Sequence, residues 1–331
     1  MKAVVCRQYG LAHTGIETLP SPPLGPGQLR IAVRAAGVSF ANLLVIDGKH
    51  QNRADPPFTP GTEIAGEVLE CAPDVDRFRP GDRVIAGIRH GGFAQEALAP
   101  VDTVFALPDE VDFNAASHFP TLYATAYAAL HWRAALQPGE TLLVHGAAGG
   151  SGLAAVEIGK VLGARVIATA GSAEKIAATL RHGADVAINH REQGFRDAVL
   201  EATGGRGADV IFDPVGGAVF QESLRCIAPE GRILPIGFAG GDIPQIPANL
   251  VLVKNITVIG LYWGYYMGWA RQRPPPELAA TVRAAFGQML AWASQGKLKP
   301  ETRRIYPLSG FREALQALAA RDVIGRLVLR P

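Results

Sequence analysis

Cysteine is scarce in this chain of 331 residues. Only Cys6, Cys71 and Cys226 occur, an odd number with no Cys-x-x-Cys spacing. Thiols so scattered build neither a disulfide framework nor a structural zinc loop, and they fit a reducing, cytoplasmic compartment. Net charge is nearly absent too: 32 basic against 30 acidic residues leave +2. That balance, without a basic run, gives no footing for nucleic acid or an anionic membrane. No uninterrupted apolar stretch reaches the roughly 18 residues of a membrane span. The opening MKAVVCRQYG is too short in its apolar run for a signal peptide and reads as a first strand. Internal repeats and low-complexity tracts are missing. What is present is 48% hydrophobic content, enough for a sizeable core. The length suits about two domains.

The most informative stretch is Leu142 to Gly152, LLVHGAAGGSG. Its apolar start is the pattern of a buried parallel strand. A turn rich in glycine follows (Gly146, Gly149, Gly150, Gly152), then a helical run from Leu153 to Leu162. Strand, glycine turn and helix are the setting of a dinucleotide fingerprint. A pyrophosphate needs backbone N–H groups at close range and the positive end of a helix, and side chains would block its approach. The fingerprint is imperfect, because Ala147 stands where its first glycine would be.

The rest of the chain divides around this stretch. Residues 1 to about 110 carry short apolar runs punctuated by Gly and Pro, as at Pro60-Gly61 and Pro80-Gly81. These predict a small, partly open β-barrel. Ala115–Pro120 and Leu122–Trp132 are Ala-rich and helical in character. From Leu142 onward strands and helices alternate. The predicted strands are Arg165–Thr169, Asp185–Ile188, Asp209–Asp213, Arg232–Ile236 and Ile256–Gly260. The helices between them are Ala173–His182, Phe195–Ala202 and Gly217–Cys226. This spacing predicts a doubly wound parallel sheet. Further helices over 277–295 and Phe311–Arg321, then a strand Arg326–Leu329, are placed to return to the first domain. The fold class is therefore α/β.

The nucleotide is also legible. In the dinucleotide fold an acid roughly 20 residues past the glycines binds the ribose 2′-hydroxyl of NAD. Here the second strand ends Ala168-Thr169-Ala170-Gly171-Ser172 with no acid. Ser172 and Lys175 follow, and His190 and Arg191 come after the third strand. A neutral tip with a hydroxyl and cations nearby suits the 2′-phosphate, so NADPH is the expected cofactor.

Several ordered motifs carry a family resemblance: Gly37-Val38-Ser39-Phe40-Ala41-Asn42, Pro60-Gly61-Thr62-Glu63-Ile64-Ala65-Gly66, Thr125-Ala126-Tyr127, His145–Gly152, and Phe212-Asp213-Pro214-Val215-Gly216-Gly217. Ile236-Gly237-Phe238-Ala239, Lys254-Asn255 and Tyr262-Trp263-Gly264 extend it. Over almost its whole length the chain resembles the zeta-crystallin-like NADPH:quinone oxidoreductases of the medium-chain dehydrogenase/reductase superfamily. The resemblance implies a GroES-like, β-rich catalytic domain (1–122 and 270–331) and a Rossmann NADPH-binding domain (123–269), with a cleft between them. It also implies a homodimer joined near Ile256–Tyr262.

By that resemblance Asn42, His50, Tyr123 and Thr125 lie near the nicotinamide or the acceptor. His50 stands where relatives often carry Tyr, and is either a proton donor or an exposed loop residue. Asn42 stands where Asp is common, which rules out a carboxylate base there. Ala147, Gly149, Gly150, Ser151 and Gly152 would surround the pyrophosphate. Phe238, Ala239 and Gly240 would bring backbone to the nicotinamide ring. Tyr262 and Trp263 would wall the pocket or pack in the dimer, and Arg326 would touch the cofactor's phosphates. Zinc-dependent members place Cys and His where this chain has Ser39 and Thr62, and no His-Glu-x-x-His occurs, so no metal is expected. Without a Lewis acid, alcohol oxidation is disfavoured and electron-poor acceptors are favoured. The implied reaction is hydride transfer from NADPH to a small-molecule quinone or related acceptor. An enone or enoyl-thioester reductase, and a non-enzymatic NADPH-binding or RNA-binding protein, remain as alternatives.

Overall fold

In the computed structural model, residues 1–51, 53–321 and 323–331 are described. They form two compact units. The first is Met1–Thr121, Trp263–Gly296 and Pro300–Pro331, and the second is Leu122–Tyr262 with Lys297–Lys299. Residues 263–269, expected with the Rossmann domain, group with the first unit.

The first unit starts with the hairpin partners β1 (Lys2–Cys6) and β2 (Thr14–Thr18). The long β3 (Gln28–Val38) leads into helix α1 (Phe40–Ile46). Strands β4 (Glu63–Cys71), β5 (Arg83–Gly87), β6 (Glu96–Pro100) and β7 (Val104–Ala106) follow, then the short α2 (Phe113–Ala116). β3 alternates buried and half-buried residues over its first half, as a strand with one face on a core should. Register shifts in its pairing with β4 at Arg30/Ile31 and Val33/Ala35 mark irregularities that bend it. One edge of β3 thereby pairs β6 through residues 28–32 and the C-terminal strand through residues 36–38.

In the second unit the helix α3 (Ala124–Tyr127) is flanked by two wide-turn π-helical stretches, Phe119–Tyr123 and Ala128–Arg133. The Ala-rich region is thus helical but not one α-helix. Then come β8 (Thr141–Val144), α4 (Gly150–Val161), β9 (Arg165–Ala170), α5 (Ala173–Arg181) and β10 (Val186–Asn189). They are followed by α6 (Phe195–Ala202), β11 (Ala208–Asp213), α7 (Gly217–Cys226), β12 (Ile227–Pro235), α8 (Ala248–Lys254) and β13 (Thr257–Val258). The six strands are parallel in the order β10-β9-β8-β11-β12-β13. That is the 3-2-1-4-5-6 order of a dinucleotide-binding fold, whose reversal lies between β8 and β11. Leu143, Ile167, Ile211 and Ile233 are buried in its centre beneath Phe220 and Leu224 of α7.

The chain then returns to the first unit through α9 (Trp263–Tyr266), α10 (Glu277–Ser294), β14 (Thr302–Pro307), α11 (Phe311–Ala319) and β15 (Arg326–Arg330). The sheet order there is β14-β15-β3-β4-β5-β7. α10 buries Val282, Ala285, Phe286, Met289 and Leu290, the three-and-four spacing of one helical face. Phe286 stacks on Phe105 of β7, with ring centroids 3.7 Å apart. Among the described residues, no helix is long and apolar enough to cross a membrane.

Candidate functional site

The second unit gathers its glycine-bearing turns at the C-terminal ends of the parallel strands. After β8 the backbone reverses at Gly146, whose φ is +54°. This left-handed residue does the turning that the fingerprint assigns one place later, so the buried Ala147 is tolerated. The Ala147 amide donates to Thr169 O of β9 at 3.0 Å, and His145 N donates to Phe212 O of β11 at 3.0 Å. Gly152 is required by packing: a Cβ there would lie 2.4 Å from Gly146 O and 2.6 Å from Ala147 Cα. The N-cap of α4 is Gly149, which has no side chain to cap the first-turn amides of Gly150, Ser151 and Gly152. A helix start of this kind suits a phosphate.

Two further turns meet it. Asp213, at the end of β11, is buried, and its Oδ1 accepts from Val215 N at 2.8 Å and Gly216 N at 3.0 Å. Burial raises its carboxyl above the usual range, although those amides act the other way. The segment after β12 folds back on this turn: Ala239 N donates to Pro214 O and Gly240 N to Val215 O. Phe238, Ala239 and Gly240 therefore sit beside the β11–α7 turn.

The β9 and β10 ends carry the cations. Ser172 is the N-cap of α5, its hydroxyl accepting from Lys175 N at 3.3 Å. The His190 and Arg191 side chains flank Gly171: a Cβ on Gly171 would lie 3.2 Å from His190 Cε1 and 3.2 Å from Arg191 Nε. Partial burial and the charges of Arg191 and Lys175 lower the His190 pKa. Ser172, Lys175, His190 and Arg191 are thus brought together.

Two buried groups that were not among the expected site residues hold this framework. His145 is buried, with Nδ1 3.0 Å from Thr169 Oγ1 and Nε2 2.8 Å from Ser223 Oγ. The Ser223 hydroxyl donates to Val219 O at 2.7 Å, so toward His145 it accepts. The network therefore assigns the ring proton to Nε2 and makes Nδ1 the acceptor from Thr169. Burial, with His190 nearby, lowers the His145 pKa to about 3. Glu157, buried on α4, accepts from Tyr123 Oη at 2.7 Å, from Lys299 N at 2.9 Å and from His182 Nδ1.

Within that last cluster Tyr123 is 1% exposed, and its hydroxyl donates to Glu157 of α4. Thr125 of α3 and Tyr262 are half-buried in the same unit.

Asn42, His50, Trp263 and Arg326 belong to the first unit. Asn42 is fully buried, third in a capping box at the start of α1. Its Oδ1 accepts from Ser39 N at 2.8 Å and lies 3.1 Å from Ser39 Oγ. The backbone N–H of Ser39 can only donate, which fixes the amide orientation. Asn42 Nδ2 is left buried with no hydrogen-bond partner among the described residues. His50 is half-buried after α1, and its backbone N donates to Leu44 O. Trp263 is packed on several sides. Its ring is 5% exposed, its Nε1 donates to Pro120 O at 2.8 Å, and it packs on Tyr266 and Phe286. These partners all lie in its own unit. Arg326 is 2% exposed on β15, close enough to His118 to help hold that buried imidazole well below its usual range.

Residues 25–109 match the family described as alcohol dehydrogenase GroES-like domain, and residues 150–279 that described as zinc-binding dehydrogenase. A quinone oxidoreductase-like protein 2 homolog of Nematostella vectensis is 39% identical over 99% of this chain and 88% of its own length. The chain belongs to the medium-chain dehydrogenase/reductase family, in its quinone oxidoreductase branch. Quinone oxidoreductase-like protein 2 of Bos taurus is 38% identical over 95% of this chain and 88% of its own. A mycobacterial protein solved in complex with NADPH matches with a TM-score of 0.91 and 27% identity, covering 100% of both chains. Among the described residues no three His, Cys, Asp or Glu side chains gather to hold a metal.

Proposed function

We propose that the chain is an NADPH-dependent reductase that passes a hydride to quinones or related electron-poor acceptors without a metal. The observation that carries this reading is the end of β9: no carboxylate at its tip, and Ser172, Lys175, His190 and Arg191 around Gly171. A 2′-phosphate is the ligand such a group of cations complements, whereas a ribose 2′-hydroxyl calls for an acid. The residues fit the cofactor elsewhere too, since the α4 N-terminus carries glycine at 149, 150 and 152 where a pyrophosphate would approach. NADPH bound here supplies the hydride.

The chain's own part is to bind, orient and stabilise charge. Phe238, Ala239 and Gly240 are held against the β11–α7 turn, where their backbone would face the nicotinamide ring of a bound cofactor. Asn42 supplies a donor: with Oδ1 fixed by Ser39, Nδ2 points its hydrogens at a place without a protein acceptor. An unsatisfied buried donor costs about 1–3 kcal/mol, and an oxygen gaining negative charge is the partner that removes this cost. Thr125 and His50 are the remaining polar candidates near the acceptor, with His50 as a proton donor. No step passes through zinc. The exposed edge strand β13, beside Ile243 (70% exposed), Leu252 (76%) and Val253 (72%), supports a homodimer joined there. Three free thiols support a reducing, cytoplasmic setting.

The test is oxidation of NADPH against a 1,4-quinone, a simple enone and a crotonyl thioester. Fast quinone turnover supports the reading. A tenfold or greater preference for the enone or thioester replaces the quinone with an activated alkene as acceptor.

A further inference from the structure

His190 stands at the cofactor's expected 2′-phosphate, and imidazole is the side chain whose ordinary pKa lies closest to the range where cells operate. We infer that His190 makes the choice of NADPH over NADH proton-linked, so that discrimination sharpens as pH falls. This inference rests on the NADPH reading above.

The geometry has three parts. The His190 ring lies alongside Gly171, with Nε2 3.4 Å and Cε1 3.2 Å from the point where a Cβ would stand. Its backbone N is fixed to Ala170 O at 3.1 Å, so the ring is carried by the sheet itself. The charged neighbours on each side are known. Arg191 follows in the same loop, and Lys175 faces it from the first turn of α5. His145 lies behind it, buried and neutral, with a pKa of about 3. Glu174 is on the same first turn of α5 as Lys175. Glu192 is turned away, accepting from Asn189 Nδ2 at 2.6 Å.

In the free protein, partial burial and the two cations hold the His190 pKa below its usual value. A phosphate dianion placed among Ser172, Lys175 and Arg191 reverses the sign of the local field and favours the imidazolium. Between the two pKa values, binding NADPH takes up a proton. By linkage, NADPH affinity then gains as pH falls through that window. NADH, without the phosphate, has no such gain. The phosphate itself takes up a second proton near about pH 6, which works in the opposite direction. A neutral variant at His190 retains that contribution, so the difference between the two proteins isolates the imidazole.

The experiment measures Kd for NADPH and NADH by fluorescence from about pH 8 to about pH 6, in the wild type and in His190→Gln. Calorimetry in two buffers of different ionisation heat counts the protons taken up. His190 is exposed, so the substitution leaves the core intact. The expected result is a ratio of NADH to NADPH dissociation constants that rises about tenfold more in the wild type than in His190→Gln as pH falls. Proton uptake on NADPH binding should be larger in the wild type. Parallel pH profiles with equal proton uptake overturn the role of His190 while leaving the NADPH reading in place. A wild type that shows no preference for NADPH at any pH overturns both.

Discussion

Asn42 and His145 are both buried polar side chains, but burial leaves them different work. His145 is satisfied on both ring nitrogens only while neutral. In the unfolded chain an imidazole takes its proton near about pH 6.5, whereas the folded protein resists it down to about 3. A lowered pKa on a base means that the folded state binds fewer protons across this window, so stability is lost as pH falls through it. The expected slope from this residue is about 1.4 kcal/mol per pH unit. His118, held low by burial and Arg326, adds to it in the same direction. Unfolding curves of the wild type and His145→Gln between about pH 6 and about pH 4 should diverge in slope, and equal slopes would refute the assignment. Asn42 instead keeps a donor in reserve. Asn42→Ala should lower kcat/KM roughly ten- to a hundredfold and, by removing a capping partner, cost about 1 kcal/mol of stability. A fall in stability without a fall in kcat/KM would make Asn42 only a cap.

At the scale of elements, what was legible depended on how local the determining forces are. Buried parallel strands are continuous apolar runs, so β8 and β11 stand out, and α6 and α7 fall on Phe195–Ala202 and Gly217–Cys226 as expected. The glycine turn was legible in kind, although Gly146 rather than residue 147 supplies the left-handed conformation. α8 was not legible: its Leu-Val-Leu-Val run resembles a strand, and two of those residues are exposed. Only Thr257–Val258 of the expected Ile256–Gly260 strand pairs with β12. The Glu157 cluster joins Tyr123, His182 and Lys299 across 34, 25 and 142 residues, which no local pattern encodes. The burial of Arg326 and Trp263 was not legible for a related reason, since residue type does not say which way a side chain faces. The helix–turn contact at Gly152 gives the sharpest test at this scale. A Cβ 2.4 Å from Gly146 O forces backbone to move, so Gly152→Ala should cost about 1–3 kcal/mol and weaken NADPH binding by calorimetry. Unchanged binding would show that the turn adapts without consequence.

For the whole molecule, the two compact units follow from two different ways of burying a sheet. The first closes a bent, mostly antiparallel sheet around its own core, and the second covers a parallel sheet with helices. The parallel sheet ends at β13 with an open edge next to exposed Leu252 and Val253, a combination that soluble chains usually cover. The double variant Leu252→Asp with Val253→Asp should therefore move the mass measured by light scattering from a dimer toward a monomer. A wild type that is already monomeric would overturn that surface assignment.

The central claim is that this oxidoreductase of the quinone oxidoreductase branch selects NADPH through the cations around Gly171. The most direct measurement compares NADPH and NADH in steady-state quinone reduction by the wild type and Lys175→Ala. A charge-assisted hydrogen bond to a phosphate is worth about 1.5–3 kcal/mol. The account predicts that Lys175→Ala raises the KM for NADPH roughly ten- to a hundredfold and leaves NADH nearly unchanged. Equal losses for both cofactors, or a wild type that uses NADH as readily, would contradict it.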